Sequence, residues 1–211
     1  MQERGIGKLI ILTGLFVGAI LCANTLASKL FTIGGLTMTA GIVAFPITFL
    51  ITDIINEVWG KKRAQAVVIT GFLANLMMVA LYQLGMILPP AVFWPHQEAF
   101  HTILGAVPRI VGASMIAYLI SQNWDVWVFA KIKEKLRFGL WLRNNLSTIT
   151  AQIIDSVIFL GLAFGGVMPV GSLVTMFFTY VLVKAGIALL DTPLVYLGVA
   201  WAKGKEGQAR G

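Results

Sequence analysis

The chain has 211 residues, of which 58% are hydrophobic and 12% are charged, and its mean hydropathy is +0.86. A soluble domain has about 25% charged residues, so this composition excludes a soluble globular protein and indicates an integral membrane protein. The net charge of +7 lies in short basic clusters between apolar runs, where topology signals are expected, and does not indicate a nucleic-acid partner.

Six apolar segments follow one another along the chain, each long enough to cross a membrane as a helix of about 20 residues. They cover residues 8–30, 38–59, 64–88, 107–130, 144–166 and 170–201. The longest runs lack the alternation of apolar and polar residues that strands of a membrane barrel require. The sequence predicts an all-α integral membrane protein, a six-transmembrane-helix bundle that forms a single domain over residues 1–211.

The Lys and Arg residues predict the orientation of the bundle, because cytoplasmic loops carry an excess of both. With the N-terminus inside, all sixteen except Lys29, Arg109 and Lys184 lie on the cytoplasmic side. The segment between Pro89 and Val107 has no Lys or Arg and is typical of an external connection. Both termini are therefore expected in the cytoplasm (N-in/C-in).

Ionisable side chains inside these segments are the best indication of function. Each costs about 2.5–3.5 kcal/mol at the bilayer centre, so such residues normally face the bundle interior and mark a pathway. In the second segment Asp53, Asn56 and Glu57 have i, i+3, i+4 spacing, which places them on one helical face. Pro46 lies upstream and is predicted to kink this helix.

The fourth and fifth segments share the pattern Gln-x-x-Asp-x-x-x-Phe. It contains Gln122 and Asp125 in one copy and Gln152 and Asp155 in the other. If the two spans are antiparallel, both glutamines lie at a similar depth, and two amides and two carboxylates could converge.

Other polar groups lie at or near membrane depth. Asn24 and Lys29 follow small-residue ridges in the first segment, Arg109 is at the outer end of the fourth, and Lys184 and Asp191 are in the sixth. For Asp155 and Lys184, a structural ion pair and a functional site are equally compatible with the sequence.

Simpler roles remain open for several of these residues. Glu57 and Asp125 lie near helix ends, from which they can reach water. A lone amide such as Asn75 more often holds helices together than binds a ligand. Cys22 has no partner cysteine, and His96 and His101 lie in the external connection, so we expect no metal and no cofactor.

Two motifs then resemble a known family. Ala23-Asn24-x4-Lys29 and Phe45-Pro46-x-Thr48-Phe49-x3-Asp53-x2-Asn56-Glu57-x-Trp59-Gly60-Lys61 are similar to segments of the queuosine precursor transporter family, also called the vitamin uptake transporter family. The resemblance covers essentially the whole chain, including Arg109 to Asp125 and Arg143 to Asp155. Relatives often have Tyr where this chain has Trp59.

The resemblance implies a six-helix protein of the bacterial inner membrane that takes up 7-cyano-7-deazaguanine or its aminomethyl relative for queuosine in tRNA. Such a deazapurine offers N–H donors to carboxylates, an acceptor to amides and a flat face to aromatic rings such as Phe49, Trp127 or Phe159. We expect the substrate-binding residues to be Asn24, Asp53, Asn56, Glu57, Gln122, Asp125, Gln152 and Asp155. Lys29, Arg109, Lys184 and Asp191 are candidates for coupling or ion pairs.

The source of energy stays open between proton coupling and facilitated uptake with metabolic trapping. The chain has no Gly-x4-Gly-Lys-Ser/Thr loop for ATP. One alternative is a substrate-capture subunit of an energy-coupling-factor importer, which would have an energising partner; assembly of identical copies is also open.

An intramembrane enzyme is disfavoured because both histidines are external and Gly-x-Gly-Asp is absent, and a pure scaffold would not need five carboxylates at membrane depth.

Overall fold

The computed structural model describes residues 2–135 and 140–203, and within these ranges it leaves out the side chains of residues 2–4, 125–126, 129–130, 132–135, 140–148, 185 and 187–192. The described part is mainly helical. Its helices are α1 (Gln2–Leu26), α2 (Phe45–Trp59), α3 (Lys61–Ile87), α4 (Gln97–Leu104), α5 (Val107–Lys135), α6 (Leu140–Phe164) and α7 (Val170–Lys203). Two short strands, β1 (Leu30–Ile33) and β2 (Leu36–Thr39), and a 3₁₀ turn at Ala40–Val43 lie between α1 and α2.

Four segments of the described chain are long and apolar enough to cross a membrane, namely Gly5–Leu26, Ala40–Trp59, Lys61–Ile87 and Gln97–Trp124. Two shorter apolar helices cover Ile149–Phe164 and Val170–Lys184. Large apolar side chains are exposed along α1 and α3, among them Ile10, Leu15, Leu73 and Leu81. Contiguous exposed apolar surface of this kind belongs in lipid, and the chain is a multi-pass membrane protein. The count of six crossings stays a prediction.

Helix α1 ends at Leu26, four residues before the predicted end of the first segment at residue 30. The chain then forms the β1–β2 pair, whose two-residue turn consists of Gly34 and Gly35 with φ values of +59° and +81°. Glycine adopts this left-handed conformation without steric cost, and two such residues favour a tight hairpin. Lys29 therefore lies between α1 and β1, and its carbonyl accepts a hydrogen bond from the Ala40 N–H at 2.8 Å.

The second predicted segment is not one continuous helix. Its first residues form β2 and the 3₁₀ turn, and α2 begins only at Phe45. Pro46 lies in the first turn of α2, where its missing N–H would have no helical acceptor, so it starts the helix instead of kinking it. The predicted connection between Pro89 and Val107 also contains α4, in which the Phe100 ring lies 5.8 Å from that of Trp94.

By contacts the chain divides into two compact units, one formed by Met1–Phe31, Thr39–Val107 and Lys184–Gly211, the other by Thr32–Met38 and Pro108–Val183. In the first unit the buried core joins four helices and consists of Leu12, Phe16, Ile51, Ile54, Ile55, Val67 and Ala202. In the second unit Phe159 of α6 is buried, with its ring 6.3 Å from Tyr180 of α7 and 6.1 Å from Phe164. The single domain over residues 1–211 stays a prediction.

A glycine sets the approach of α1 to α3 in the first unit. A Cβ atom at Gly71 would lie 2.6 Å from a ring carbon of Phe16, well inside van der Waals contact. Membrane helices gain little from hydrophobic association, so close packing at small residues carries much of their interaction. Gly71 thus permits the contact between these two helices.

We predict that Gly71→Ala lowers the thermal stability of the purified protein in detergent. The added methyl group must displace the buried Phe16 ring, which costs about 1–3 kcal/mol and exceeds the gain in helix propensity of about 1 kcal/mol. Gly14→Ala on α1 is the matched control, since a Cβ there meets nothing within 4 Å. Equal melting temperatures for the two variants would contradict the prediction.

Candidate functional site

Helix α2 has two chemically different faces. Thr48, Ile51, Ile54 and Ile55 are buried and pack the helix into its unit. Side chains on the opposite face are exposed, and they are Phe49, Asp53, Asn56 and Glu57. The spacing of these four residues follows the helical repeat, so aromatic, carboxylate and amide groups form one continuous stripe. We call this stripe the polar face of α2.

The polar face cannot face lipid, because carboxylates and amides lose their hydration in hydrocarbon at a large cost. Asp53 lies near the middle of the 15-residue helix, and Glu57 near its C-terminal end. The Glu57 Oε1 atom lies 3.8 Å from Lys203 Nζ of α7, and both side chains are exposed. A solvated ion pair of this kind contributes about 0–1 kcal/mol. Its exposure favours Glu57 as a charge at the water-facing end of α2. The position of Asp53 near the middle of the helix favours Asp53 as the carboxylate at membrane depth.

Asn24 does not lie on an exposed surface. It is 2% exposed, and its Nδ2 donates to Oδ1 of the buried Asn75 at 2.8 Å. Asn75 in turn donates through Nδ2 to the Gly71 carbonyl at 2.9 Å. The next residue along α1, Thr25, places its hydroxyl 3.2 Å from that of Tyr82. A polar seam therefore joins α1 to α3, and interhelical hydrogen bonds of this kind commonly hold membrane helices together.

In the second unit, hydrogen bonds at two levels set the register of α5 against α6. Near one end Arg109 Nε donates to the Leu162 carbonyl at 2.7 Å, and its Nη2 donates to the Gly165 carbonyl. At the other level Trp124 Nε1 donates to Thr150 Oγ1 at 3.3 Å. Fifteen residues separate Arg109 from Trp124, and fifteen separate Thr150 from Gly165. The two helices therefore run antiparallel.

This register determines the relative depth of the repeated Gln and Asp residues. Gln122 precedes Trp124 by two residues and Gln152 follows Thr150 by two, so the two glutamines lie at the same level. Both of their side chains are exposed. Asp155 is half-buried and lies about 4.5 Å further along α6, one three-residue step at 1.5 Å each. The side chain of Asp125 lies outside the described residues.

The aromatic candidates differ in accessibility. Phe49 is 44% exposed and Trp127 is 54% exposed, whereas Phe159 is 6% exposed and is covered by Tyr180 and Phe164. Phe159 thus packs the second unit, and it presents no open ring to a ligand in this structure. Phe49 lies one helical turn before Asp53 on the polar face of α2.

The remaining charged candidates have separate places. Arg109 binds the carbonyls at the C-terminal end of α6, where a cation also interacts favourably with the helix dipole. Lys184 is half-buried on α7, Lys29 is exposed after α1, and the side chain of Asp191 lies outside the described residues. No group of three His, Cys, Asp or Glu residues in the described part of the chain could hold a metal ion.

Sequence reasoning missed two of these partners. Asn24 and Asn75 are 51 residues apart, and Arg109 and Leu162 are 53 residues apart, so no local spacing links them. The intramembrane amides were the only signal for the first pair. For Arg109 the signal was only its position at the predicted outer end of the fourth segment.

Comparison of the sequence with known proteins identifies a family and several relatives. Residues 39–198 match the family described as "Putative vitamin uptake transporter". A probable queuosine precursor transporter of Bacillus subtilis is 34% identical over 92% of this chain and 85% of its own length. The queuosine precursor transporter of Escherichia coli is 30% identical over 67% of this chain and 62% of its own length.

A third relative, a probable queuosine precursor transporter of Haemophilus influenzae, is 26% identical over 60% of this chain and 52% of its own length. No solved structure matches the chain. The long apolar helices indicate a multi-pass membrane protein, and the family match makes it a transporter rather than an enzyme. The chain belongs to the vitamin uptake transporter family, together with these queuosine precursor transporters.

We predict that Arg109→Gln destabilises the protein, because the α6 carbonyls lose a charged donor. The expected loss is about 1–2 kcal/mol, seen as a lower melting temperature of the purified protein. Lys62→Gln is the control, since Lys62 is an exposed cation in the first turn of α3. Unchanged stability of Arg109→Gln, together with lost uptake, would instead assign Arg109 to substrate coupling.

Proposed function

We propose that this chain imports a queuosine precursor, 7-cyano-7-deazaguanine or 7-aminomethyl-7-deazaguanine, across the bacterial inner membrane for queuosine salvage. The observation that carries the proposal is the polar face of α2, whose carboxylate, amide and aromatic ring are exposed on a helix of membrane-spanning character. The names of the relatives at 26–34% identity support the class of substrate.

The chemistry of the polar face of α2 matches a guanine-like base. Such a base presents two adjacent N–H donors on its pairing edge, and a carboxylate can accept both. Asp53 supplies the carboxylate and Phe49, one turn away, supplies an exposed ring for stacking. Asn56 lies one turn further along the same face and offers both a donor and an acceptor to the rest of the base.

Gln122 and Gln152 form the second group of proposed ligands. Their amides are exposed at one level of the antiparallel α5–α6 pair. Amides can pair with the carbonyl and N–H groups of a deazapurine without introducing charge. Asp155, half-buried nearby along α6, would add a second carboxylate. Asn24, Glu57 and Asp125 complete the proposed set of substrate ligands, with Lys29, Lys184 and Asp191 kept for coupling or ion pairs.

The orientation we propose has both termini in the cytoplasm, with six crossings. Lys8 Nζ near the start of α1 donates to the Trp201 carbonyl at 2.7 Å near the end of α7. Glu57 at the end of α2 also lies beside Lys203. These contacts support our proposal that the start of α1 and the end of α7 lie on one side of the membrane, and six crossings, an even number, agree with it. The exposed Lys61, Lys62 and Arg63 lie on that same side, and a basic cluster favours the cytoplasm.

A substrate-capture subunit of an energy-coupling-factor importer is the second candidate. Gly14 and Gly18 on α1 leave open surface, since a Cβ at either position meets nothing within 4 Å. A partner helix could approach closely there. ATP-dependent uptake, or recovery of an ATPase module with the tagged protein, would favour this arrangement over a self-sufficient carrier.

We predict that Asp53→Asn and Asp155→Asn each reduce uptake at least about tenfold, because a neutral amide replaces a charged acceptor. The assay measures queuosine in tRNA in bacterial cells that lack their own synthesis and importer, supplied with 7-cyano-7-deazaguanine. Glu98→Gln on α4 is the control, since this carboxylate lies outside the proposed ligand set and is exposed.

Membrane abundance of every variant is measured in the same cells. Restored queuosine with the unchanged chain alone would support a self-sufficient importer. Normal uptake in the Asp53→Asn, Asp125→Asn and Asp155→Asn variants would contradict the proposed carboxylate site, even if the protein transports the base.

We also predict that single cysteines placed at Lys8 and at Lys203, in a Cys22→Ser background, are protected from a membrane-impermeant thiol reagent in intact cells. A cysteine at Val92, which is fully exposed in the α3–α4 connection, is expected to react. Labelling of the first two positions in intact cells, with Val92 protected, would reverse the proposed orientation.

A further inference from the structure

The Gly71 carbonyl determines which way two buried amides point. A backbone carbonyl only accepts hydrogen bonds, so Asn75 must turn its Nδ2 toward Gly71, at 2.9 Å. Asn75 Oδ1 is then the atom that faces Asn24, and Asn24 must present its own Nδ2 to it, at 2.8 Å. The orientation of Asn24 therefore follows from the donor and acceptor chemistry of this relay.

The relay leaves a buried acceptor. Asn24 Oδ1 receives no donor from the part of the chain that the structure describes, although the residue is only 2% exposed. Buried carbonyl oxygens normally have a partner, and one left without a donor costs free energy. A donor from outside the protein would remove that cost.

The surroundings of Asn24 restrict what can reach it. Ala23 on the same helix and Ala27 directly after its end are buried, and Gly41 of the 3₁₀ turn packs so closely that its Cβ position would lie 3.2 Å from the Ala27 Cβ. A transport cycle encloses its substrate at one stage, so an enclosed ligand group is compatible with this packing. The Ala40–Val43 turn covers α1 directly beside Asn24.

We infer that Asn24 Oδ1 accepts one N–H of the transported base, and that Asn75 is a positioning residue that holds Asn24 in this orientation. The inference rests on the proposed function, since it needs a ligand with N–H donors. It adds a residue, Asn75, that makes no contact with the ligand itself. Without Asn75 the Asn24 amide can rotate and present its NH₂ group instead, which repels an N–H donor.

The test is a double-mutant cycle between the protein and the donor groups of the ligand. Probes are 7-deazaguanine and three analogues that each lack one donor: the 2-desamino, the N1-methyl and the N9-methyl compound. Inhibition constants against 7-cyano-7-deazaguanine uptake are measured for the unchanged chain and for Asn75→Ala, Asn24→Ala and the double variant. Gln83→Ala, an exposed amide on the same helix, is the matched control.

In the unchanged chain, we expect one of the three analogues to bind roughly three- to tenfold more weakly than 7-deazaguanine, through loss of one hydrogen bond. In Asn75→Ala that penalty falls below twofold and the penalties of the other two analogues stay as they were. Asn75→Ala has no further effect in the Asn24→Ala background, because it acts only through Asn24. The Gln83→Ala variant keeps all three penalties.

A uniform loss of affinity for all four probes in Asn75→Ala would overturn the inference and leave Asn75 a packing residue, or Asn24 a site for water. Additive effects of the two substitutions would also overturn it. If Asn75→Ala is absent from the membrane, Asn75→Ser, which can keep a bond to the Gly71 carbonyl, is measured on the same criteria. Failure of the proposed function is distinguishable, since the unchanged chain would then bind none of the four probes.

Discussion

Hydrocarbon offers no hydrogen bonds, and the arrangement of this chain depends on that constraint. On α2, Ile51, Ile54 and Ile55 supply the packing surface, while Asp53 and Asn56 on the opposite side require a polar environment. The apolar packing surface and the polar side chains of α2 therefore lie on two separate faces along the length of the helix. One face packs α2 into its unit, and the other is the face on which we propose that a substrate with polar groups binds.

The position of the Asn24 side chain also depends on the close approach of α1 to α3. Gly71 lets the Phe16 ring reach α3, and its carbonyl also anchors Asn75, which in turn holds Asn24. One residue without a side chain therefore contributes to packing and to orientation of a polar group on the neighbouring helix. Such coupling is expected where helix association rests on tight contacts and interhelical hydrogen bonds rather than on exclusion of water.

The helical segments could be predicted because apolar runs and helix length are local properties, and α3, α5 and α7 begin within four residues of their expected starts. The β1–β2 hairpin and α4 could not be predicted in this way. The hairpin residues are apolar enough to resemble the ends of membrane helices, and the α4 residues lie in a segment that resembles a loop. Pro46 was wrongly predicted to kink α2. The start of this helix is set by the preceding 3₁₀ turn, and the spacing of residues in the sequence does not show that turn. The spacing placed Asp53, Asn56 and Glu57 on one face of α2, where the structure also has them. The pairs Arg109–Leu162 and Asn24–Asn75 instead depend on the register between helices that are distant in sequence.

The register of α5 and α6 bears on how the carrier that we propose would bind a flat base and still release it. Arg109 and Trp124 hydrogen-bond α5 to α6 at two levels, and Gln122 and Gln152 lie between these levels at equal depth. Neutral amides form individually modest hydrogen bonds, which favours release, and passage through a membrane requires binding strong enough to enter and weak enough to leave. Carboxylates supply selectivity for adjacent N–H donors. In the function that we propose, the amides of α5 and α6 and the carboxylate and aromatic ring of α2 would therefore suit the flat, hydrogen-bonding ring system of a purine-like substrate.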